Sequence, residues 1–105
     1  MELTASEVKE ITQTIKETNT VGELIRAIIA QVDKGEEYGR VAVGAYIDNM
    51  QANFPDKTLE ECTEACHQNI NYLVGYFDEE VRDRVRAILK LPKYAFLEDL
   101  PVIEY

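Results

Sequence analysis

Three Thr-x-x-Glu sequences that precede an amphipathic stretch, at Thr4–Glu7, Thr20–Glu23 and Thr58–Glu61, constrain the fold more than any other feature of this chain. Each stands ahead of apolar residues that recur every three or four positions. In a capping box, the threonine hydroxyl accepts a hydrogen bond from the backbone N–H three residues on, and the glutamate carboxylate accepts one from the threonine N–H. The three sequences therefore predict three helix starts, which favours an all-α chain.

The first third of the chain predicts two amphipathic helices. The first runs from Thr4 to about Thr18 and has a narrow apolar stripe. Gly35, which follows Lys34, suits the left-handed position that ends many helices, so we expect the second helix to end there. This second helix opens at Thr20, and its wider apolar face is formed by Leu24, Ile25, Ile28, Ile29 and Val32.

Residues 36–53 contain "GRVAVGAYI", whose β-branched and glycine content also occurs in strands. They lack the strict alternation of a half-buried strand, so we predict a helix. At about 100° per residue, one apolar side is formed by Val43, Ile47, Met50 and Phe54, and a nearly opposite one by Val41, Ala45 and Ala52. A helix that is apolar on two sides is central to its bundle or is shared with a second subunit. A homodimer through helix 36–53 is the second of these alternatives.

The remainder of the chain predicts two more helices and a docked end. Asp56 or Thr58 caps a fourth helix that extends to about Phe77, and Asp78 can cap a fifth helix that Pro92 ends. The apolar residues of "KYAFLEDLPVIEY" are too many for a free tail, so we expect a short helical turn and an extended end docked on the bundle. The predicted fold is an all-α, compact bundle of about five helices with a docked C-terminal segment, forming one domain over residues 1–105.

The chain is acidic, with 20 Asp and Glu residues against 11 Lys and Arg residues and a formal net charge of −9. A field of this sign repels nucleic acid and anionic lipid and attracts basic protein surfaces. We therefore expect a protein partner with a basic surface and no direct nucleic-acid binding. Neither a signal-like start nor a run of eighteen apolar residues is found, so we expect no membrane span and a cytoplasmic location.

The sequence "ECTEACHQ" brings two cysteines and the single histidine together. Cys62 and Cys66 fall in the middle of the apolar face of the fourth helix, and buried cysteine behaves as a small hydrophobe. His67 lies at the margin of that face and points away from both cysteines, which suits neither a zinc site nor a nucleophile–base pair. Phosphate-loop and serine-triad motifs are also missing. We expect core cysteines, no metal, no cofactor and no enzymatic activity.

Four acids mark the outer face of the fourth helix: Asp56, Glu60, Glu61 and Glu64. Acids in a first helical turn complement the helix dipole, but Glu64 lies beyond that turn. No base follows four residues after Glu60, Glu61 or Glu64, so these acids lack a partner on their own helix. We predict that the four acids bind the basic partner, with a merely solvated face as the alternative.

A second candidate site combines a polar, aromatic ridge with unpaired bases. Asn69, Tyr72 and Tyr76 share one shoulder of the fourth helix, and residues with a polar aromatic tip are enriched at recognition surfaces. In "RDRVRAILKLPK", the pairs Asp78–Arg82 and Glu80–Arg84 account for two bases, whereas Arg86 and Lys90 are left without a near acid. A phosphate-containing ligand held between Asn69, Tyr72, Tyr76, Arg86 and Lys90 is the alternative site.

These features favour a non-catalytic acidic interaction protein. It would bind and inhibit or regulate a basic, nucleic-acid-handling protein, as a phage-type inhibitor or nucleic-acid mimic does. The first alternative is a small helical protein that binds a phosphate-containing ligand, as a nucleotide sponge or sensor. The second alternative is an immunity-type or purely structural helical bundle.

Overall fold

Threonine and aspartate side chains begin four helices in the computed structural model, which describes residues 3–90 and 102–103. Thr4 and Thr58 each form a complete capping box, with both hydrogen bonds of each box between 3.0 and 3.1 Å. The Asp78 carboxylate caps its helix by accepting from the Val81 N–H at 3.1 Å. These three predicted helix starts are confirmed.

At Thr20 the predicted capping box is only half formed. The Thr20 hydroxyl accepts from the Glu23 N–H at 3.1 Å, as expected. The Glu23 carboxylate, however, accepts from the N–H of Asn19 at 3.0 Å, one residue before the cap. Glu23 therefore stabilises the turn that enters the helix, and the cap itself rests on the Thr20 hydroxyl.

The all-α prediction is confirmed within the described residues. Five helices follow in chain order: α1 (Ala5–Lys16), α2 (Val21–Lys34), α3 (Glu36–Asn53), α4 (Leu59–Leu73) and α5 (Glu79–Leu89). The first helix ends two residues before the predicted Thr18. The fourth ends as an α-helix at Leu73 and continues as a 3₁₀ turn over Val74–Tyr76, whose last residue precedes the predicted end at Phe77.

The C-terminal end docks through backbone pairing. Strand β1 (Leu3–Thr4) pairs in parallel with β2 (Val102–Ile103), with Leu3 opposite Val102 and Thr4 opposite Ile103. The predicted docking of an extended end is thus confirmed at these two residues. The helical turn expected before it falls on residues 91–101, outside the described part of the chain.

Helix α3 is the centre of the bundle, since it packs against α1, α2, α4 and α5. Its buried residues lie on both of the predicted apolar sides, including Val41 and Ala45 on one and Val43 and Ile47 on the other. The central position is the first of the two predicted alternatives. The homodimer through residues 36–53 stays a prediction, although this chain by itself already buries those four side chains.

Gly39 permits the close packing at this centre. A Cβ atom placed there would lie 2.6 Å from the Cδ1 atom of Ile88 in α5 and 2.9 Å from the Cγ2 atom of Val32 in α2. Both distances are too short for real side-chain contacts. Glycine therefore lets three helices meet at one point.

Gly35 joins α2 to α3 as a single-residue connection, and its backbone differs from the predicted one. The prediction was a left-handed conformation, but the observed angles are φ 152° and ψ 164°. This extended, positive-φ region is open essentially to glycine alone. Because α3 begins at the next residue, the chain turns within one residue and has no room for a standard helix-ending motif.

Candidate functional site

The two cysteines belong to the core. Cys62 and Cys66 are free thiols with 1% and 0% of their surface exposed. Burial, with a smaller contribution from Cys62, raises the pKa of the Cys66 thiol to about 12, so this group is protonated and unreactive at neutral pH. Burial also lowers the pKa of His67. Among the residues described, no group of three or more His, Cys, Asp or Glu side chains is placed to hold a metal ion.

The predicted acidic face is exposed and is not balanced by bases within residues 3–90. Asp56 lies in the loop before α4, and Glu60, Glu61 and Glu64 lie on the first half of the helix. The ion pairs formed in the described part of the chain involve none of these four carboxylates. Lys57 is near enough to Glu61 to help lower its pKa, but within residues 3–90 no base forms an ion pair with any of the four carboxylates.

Glu61 differs from the other three acids because it has a structural role. Its carboxylate accepts from the Thr58 N–H in the capping box, and this hydrogen bond holds the pKa of Glu61 below its ordinary value. It remains charged at neutral pH and is fixed in position. Asp56, Glu60 and Glu64 have no comparable contact in the described structure.

An apolar groove lies beside this acidic face, between the end of α3 and the first half of α4. Its volume is about 420 Å³, and its lining is formed by Met50, Phe54, Lys57, Glu61, Cys62, Glu64, Ala65 and Gln68. Phe54 is the main apolar surface there, with 52% of the residue exposed. Two of the four predicted acids, Glu61 and Glu64, thus form part of the wall of a groove.

Sequence reasoning missed this groove because it placed Met50 and Phe54 on a core-facing side of the helix. The structure ends α3 at Asn53, so Phe54 is the capping residue and turns out of the core. The signal was present in "NFPDKT", where Pro55 forces the helix to end at a large aromatic residue. A phenylalanine at a helix end next to an acidic stripe is a recognisable surface pattern.

The second candidate site is divided into three parts. The Asn69 amide donates to the Tyr46 hydroxyl at 3.1 Å and so braces α4 against α3. Tyr72 and Tyr76 pair with each other, with their hydroxyl oxygens 2.9 Å apart and their rings in an edge-to-face arrangement. Both tyrosines are largely exposed.

Arg86 and Lys90 face a different groove, of about 470 Å³, that includes His67, Gln68, Asn71 and Leu89. Its described lining contains none of Asn69, Tyr72 and Tyr76. Arg86 donates to the Asn71 side-chain oxygen at 2.6 Å and to the Asn71 carbonyl at 3.2 Å. The bases and the tyrosine ridge therefore do not converge on one pocket in this structure.

The other two arginines of α5 find different acids from those predicted. Arg82 pairs with Glu79 at 3.4 Å and with Asp83 at 3.3 Å. Arg84 reaches Asp33 at 2.8 Å and the Val32 carbonyl at 3.0 Å, which fastens α5 to the end of α2. The predicted pairs Asp78–Arg82 and Glu80–Arg84 are wrong, because Asp78 is turned to its own cap and Arg84 points across the bundle.

Comparison with known proteins adds no family assignment. No family model, no curated protein and no solved structure matches the chain. Of the helices described, none is both long and apolar enough to cross a membrane.

Proposed function

We propose that this protein is a non-catalytic interaction protein whose acidic face binds a basic, nucleic-acid-handling protein and blocks or regulates it. The observation that supports the proposal most is the state of Asp56, Glu60 and Glu64, which are exposed and form no ion pair with a described base. Like charges on one helix face repel each other, and a basic partner removes that repulsion on binding. A phage-type inhibitor or nucleic-acid mimic would act in this way.

The surroundings of the acidic face also support an interface. The face lies on α4, whose opposite side contains the buried Cys62, Cys66 and Ile70. A helix anchored in this way presents its charges with little motion, so little conformational entropy is lost on binding. The two free thiols suit a reducing compartment, and we propose the cytoplasm as the location.

Charge reversal with a matched control tests the proposal. The double variant Glu60→Lys/Glu64→Lys and the control Glu10→Lys/Glu80→Lys change the net charge equally, and all four sites are exposed. Each full chain is immobilised and challenged with extract from cells that naturally contain the protein, and the retained proteins are identified.

We expect the parent chain and the control to retain a basic nucleic-acid-handling protein and the Glu60/Glu64 variant to lose it. Retention should also fall steeply between about 50 mM and about 500 mM salt, because exposed charges are screened over that range. Equal retention by both variants, or retention that does not depend on salt, contradicts the proposal.

The groove that contains Arg86 and Lys90 favours a second candidate, binding of a phosphate-containing ligand. Two bases there line a space of about 470 Å³ together with the polar side chains of His67, Gln68 and Asn71. A nucleotide that binds there raises the melting temperature with its concentration, and Arg86→Ala removes the rise. An unchanged melting temperature contradicts this candidate. A purely structural or immunity-type bundle predicts neither the salt-dependent capture nor the nucleotide effect.

A further inference from the structure

The groove between α3 and α4 combines an apolar floor with an acidic wall. Met50, Phe54, Cys62 and Ala65 supply the floor. Glu61 and Glu64 stand one helical turn apart and both line the groove, with the Glu61 carboxylate turned toward the Thr58 N–H. An interface that only imitated the phosphates of nucleic acid would need the charges and would gain nothing from the exposed phenylalanine.

Phe54 is held in its exposed position by the backbone around it. Its N–H donates to the Met50 carbonyl at 2.9 Å, and its own carbonyl accepts from the Lys57 N–H at 3.0 Å. The other largely exposed aromatic side chains within the described residues, Tyr72 and Tyr76, carry hydroxyls that bond to each other. Phe54 has no polar tip, so covering its ring with another apolar group is favourable.

The dimensions of the groove suit a helix. Five residues of α4 between Glu61 and Gln68 line it, and the rise from the first to the last is about 10 Å along the helix axis, or two turns. A second helix laid against this length presents apolar side chains at i, i+3, i+4 and i+7. A loop that inserted a single side chain would leave part of this length uncovered.

The acidic residues around the groove favour an occupant with positive charge. Asp56, Glu60, Glu61 and Glu64 stand against one nearby base, Lys57. A second copy of this chain has a net charge of −9 and is repelled. The chain's own residues 91–101 contain one base, Lys93, and two acids, so their charge does not complement the groove either.

We propose that the groove binds a basic amphipathic helix of the partner protein, with the apolar side of that helix on Phe54 and Met50 and its lysines or arginines beside Glu61 and Glu64. The inference rests on the proposed function and narrows it from a basic protein to a basic amphipathic helix as the element recognised. Apolar contact then fixes where the partner docks, and charge determines which helices are accepted.

Two synthetic peptides test the inference on the full chain labelled with ¹⁵N. The first is a lysine-rich helical peptide about four turns long, with leucines at i, i+3, i+4 and i+7. The second has glutamine in place of every leucine and the same charge. We expect the leucine peptide to shift the amide signals of residues 50–68 with saturable binding, and the glutamine peptide to bind at least about tenfold more weakly.

Variants separate the apolar contribution from the charge contribution. Phe54→Ser should weaken binding of the leucine peptide at least about tenfold, whereas Val21→Ser, at an equally exposed apolar site, should not. Glu60→Gln/Glu64→Gln should weaken binding of both peptides. Circular dichroism of each variant confirms that the bundle is folded.

The outcomes distinguish failure of the inference from failure of the proposed function. If both peptides bind equally and only the glutamate variant weakens them, the acidic face stands and the groove inference is overturned. If the leucine peptide binds independently of salt and of the glutamates, the groove recognises it through apolar contact alone. The proposed function, which depends on charge, then fails. If neither peptide binds with a dissociation constant below about 1 mM, the inference is overturned.

Photo-crosslinking identifies the occupant directly. A benzophenone-bearing amino acid in place of Phe54 should crosslink to the leucine peptide in the titrated sample. In the absence of peptide, crosslinks to a second copy or to residues 91–101 of the same chain would show that the groove is already occupied, and either result overturns the inference. The benzophenone keeps an aromatic side chain at position 54, so this measurement does not require removing the apolar contact.

Discussion

The first half of α4 and the helix α5 are both charged and amphipathic, but they use their charges differently. On α5, each arginine has a partner: Arg82 pairs with Glu79 and Asp83, Arg84 with Asp33, and Arg86 with Asn71. On α4, Glu60 and Glu64 have no base within 4 Å among the described residues. Arg84 and Arg86 hold α5 to α2 and α4, and Arg82 pairs within α5, whereas Glu60 and Glu64 of α4 are available to another molecule.

The difference matters because exposed ion pairs contribute little energy in either case. Such a pair is worth roughly 0–1 kcal/mol, and two like charges one turn apart cost a few tenths. Neither region is therefore explained by its contribution to folding stability alone. Arg84 and Arg86 orient α5 against α2 and α4. The acidic face of α4 keeps its negative charge without an ion pair among the described residues.

The largest effect that we expect concerns the thiol beneath the acidic face. Because the pKa of Cys66 rises from 9.0 to about 12, its thiolate fraction at neutral pH falls about 1,000-fold. Alkylation of Cys66 in the folded chain should therefore be at least about 1,000-fold slower than in the chain unfolded in urea. Peptide mapping by mass spectrometry distinguishes it from Cys62. Rapid labelling of the folded chain would mean that α4 opens locally and is not the rigid support that we describe.

The next effect separates the two regions through Gly39, which faces α5. Gly39→Ala places a methyl group against Ile88 and Val32 and should cost about 1–3 kcal/mol of unfolding free energy. Amide exchange should accelerate more in α5 than in the first half of α4. Gly75→Ala is the matched control, since a Cβ there meets nothing within 4 Å. Equal losses in the two variants, measured by urea unfolding, would show that the close approach at Gly39 does not limit the packing.

A smaller effect tests whether the bases of α5 really brace the bundle. Arg86→Gln removes both hydrogen bonds to Asn71 and should cost about 1 kcal/mol of unfolding free energy. Lys90→Gln makes the same change of charge at a residue whose side chain forms no hydrogen bond or ion pair with the described residues, and it should leave the urea midpoint unchanged. If the two variants are equally stable, the hydrogen bonds of Arg86 do not hold α5 to the bundle, and α5 does not differ from α4 in this respect.

The smallest effect distinguishes Glu61, which belongs to the capping box of α4, from Glu64, which has no such contact. The folded-state pKa of Glu61 lies below the ordinary value of 4.5, so its stabilisation is complete above pH 4.5 and is lost as the pH falls through the folded pKa. Glu61→Ala should therefore lower the melting temperature at pH 7, and the difference from the parent chain should shrink as the pH falls below 4.5.

Glu64→Ala is the control for this pH dependence. It removes a repulsion from Glu60 and should be neutral or stabilising by a few tenths of a kcal/mol at pH 7. Melting curves at several pH values measure both variants. A destabilisation by Glu64→Ala equal to that of Glu61→Ala would mean that both acids serve the fold.

The sequence predicted local features well because they depend on neighbours three or four residues away. The capping boxes at Thr4 and Thr58 and the core position of Cys62 and Cys66 follow from helix geometry alone. The two-sided apolar pattern of residues 36–53 likewise indicated a helix that is central to the bundle or shared with a second subunit. Each of these is fixed by spacing within one element.

Features that depend on how elements meet could not be predicted in the same way. Arg84 reaches Asp33, 51 residues earlier, because α5 packs beside the end of α2. The groove beside Phe54 forms only where α3 meets α4, and Arg86 turns to Asn71 in a groove whose described lining lacks Tyr72. The acidic residues of the candidate site were found from sequence, and the groove beside them was not.

The one-residue connection at Gly35 has a consequence for how this protein could be altered or could vary. Two long helices meet there with one residue between them, so an inserted residue would change both the angle and the register between α2 and α3. The buried sides of α3 would then face the wrong neighbours. We expect the connection at Gly35 to tolerate neither an inserted residue nor replacement of the glycine. The stretch between Phe54 and Thr58 should tolerate both an insertion and substitutions.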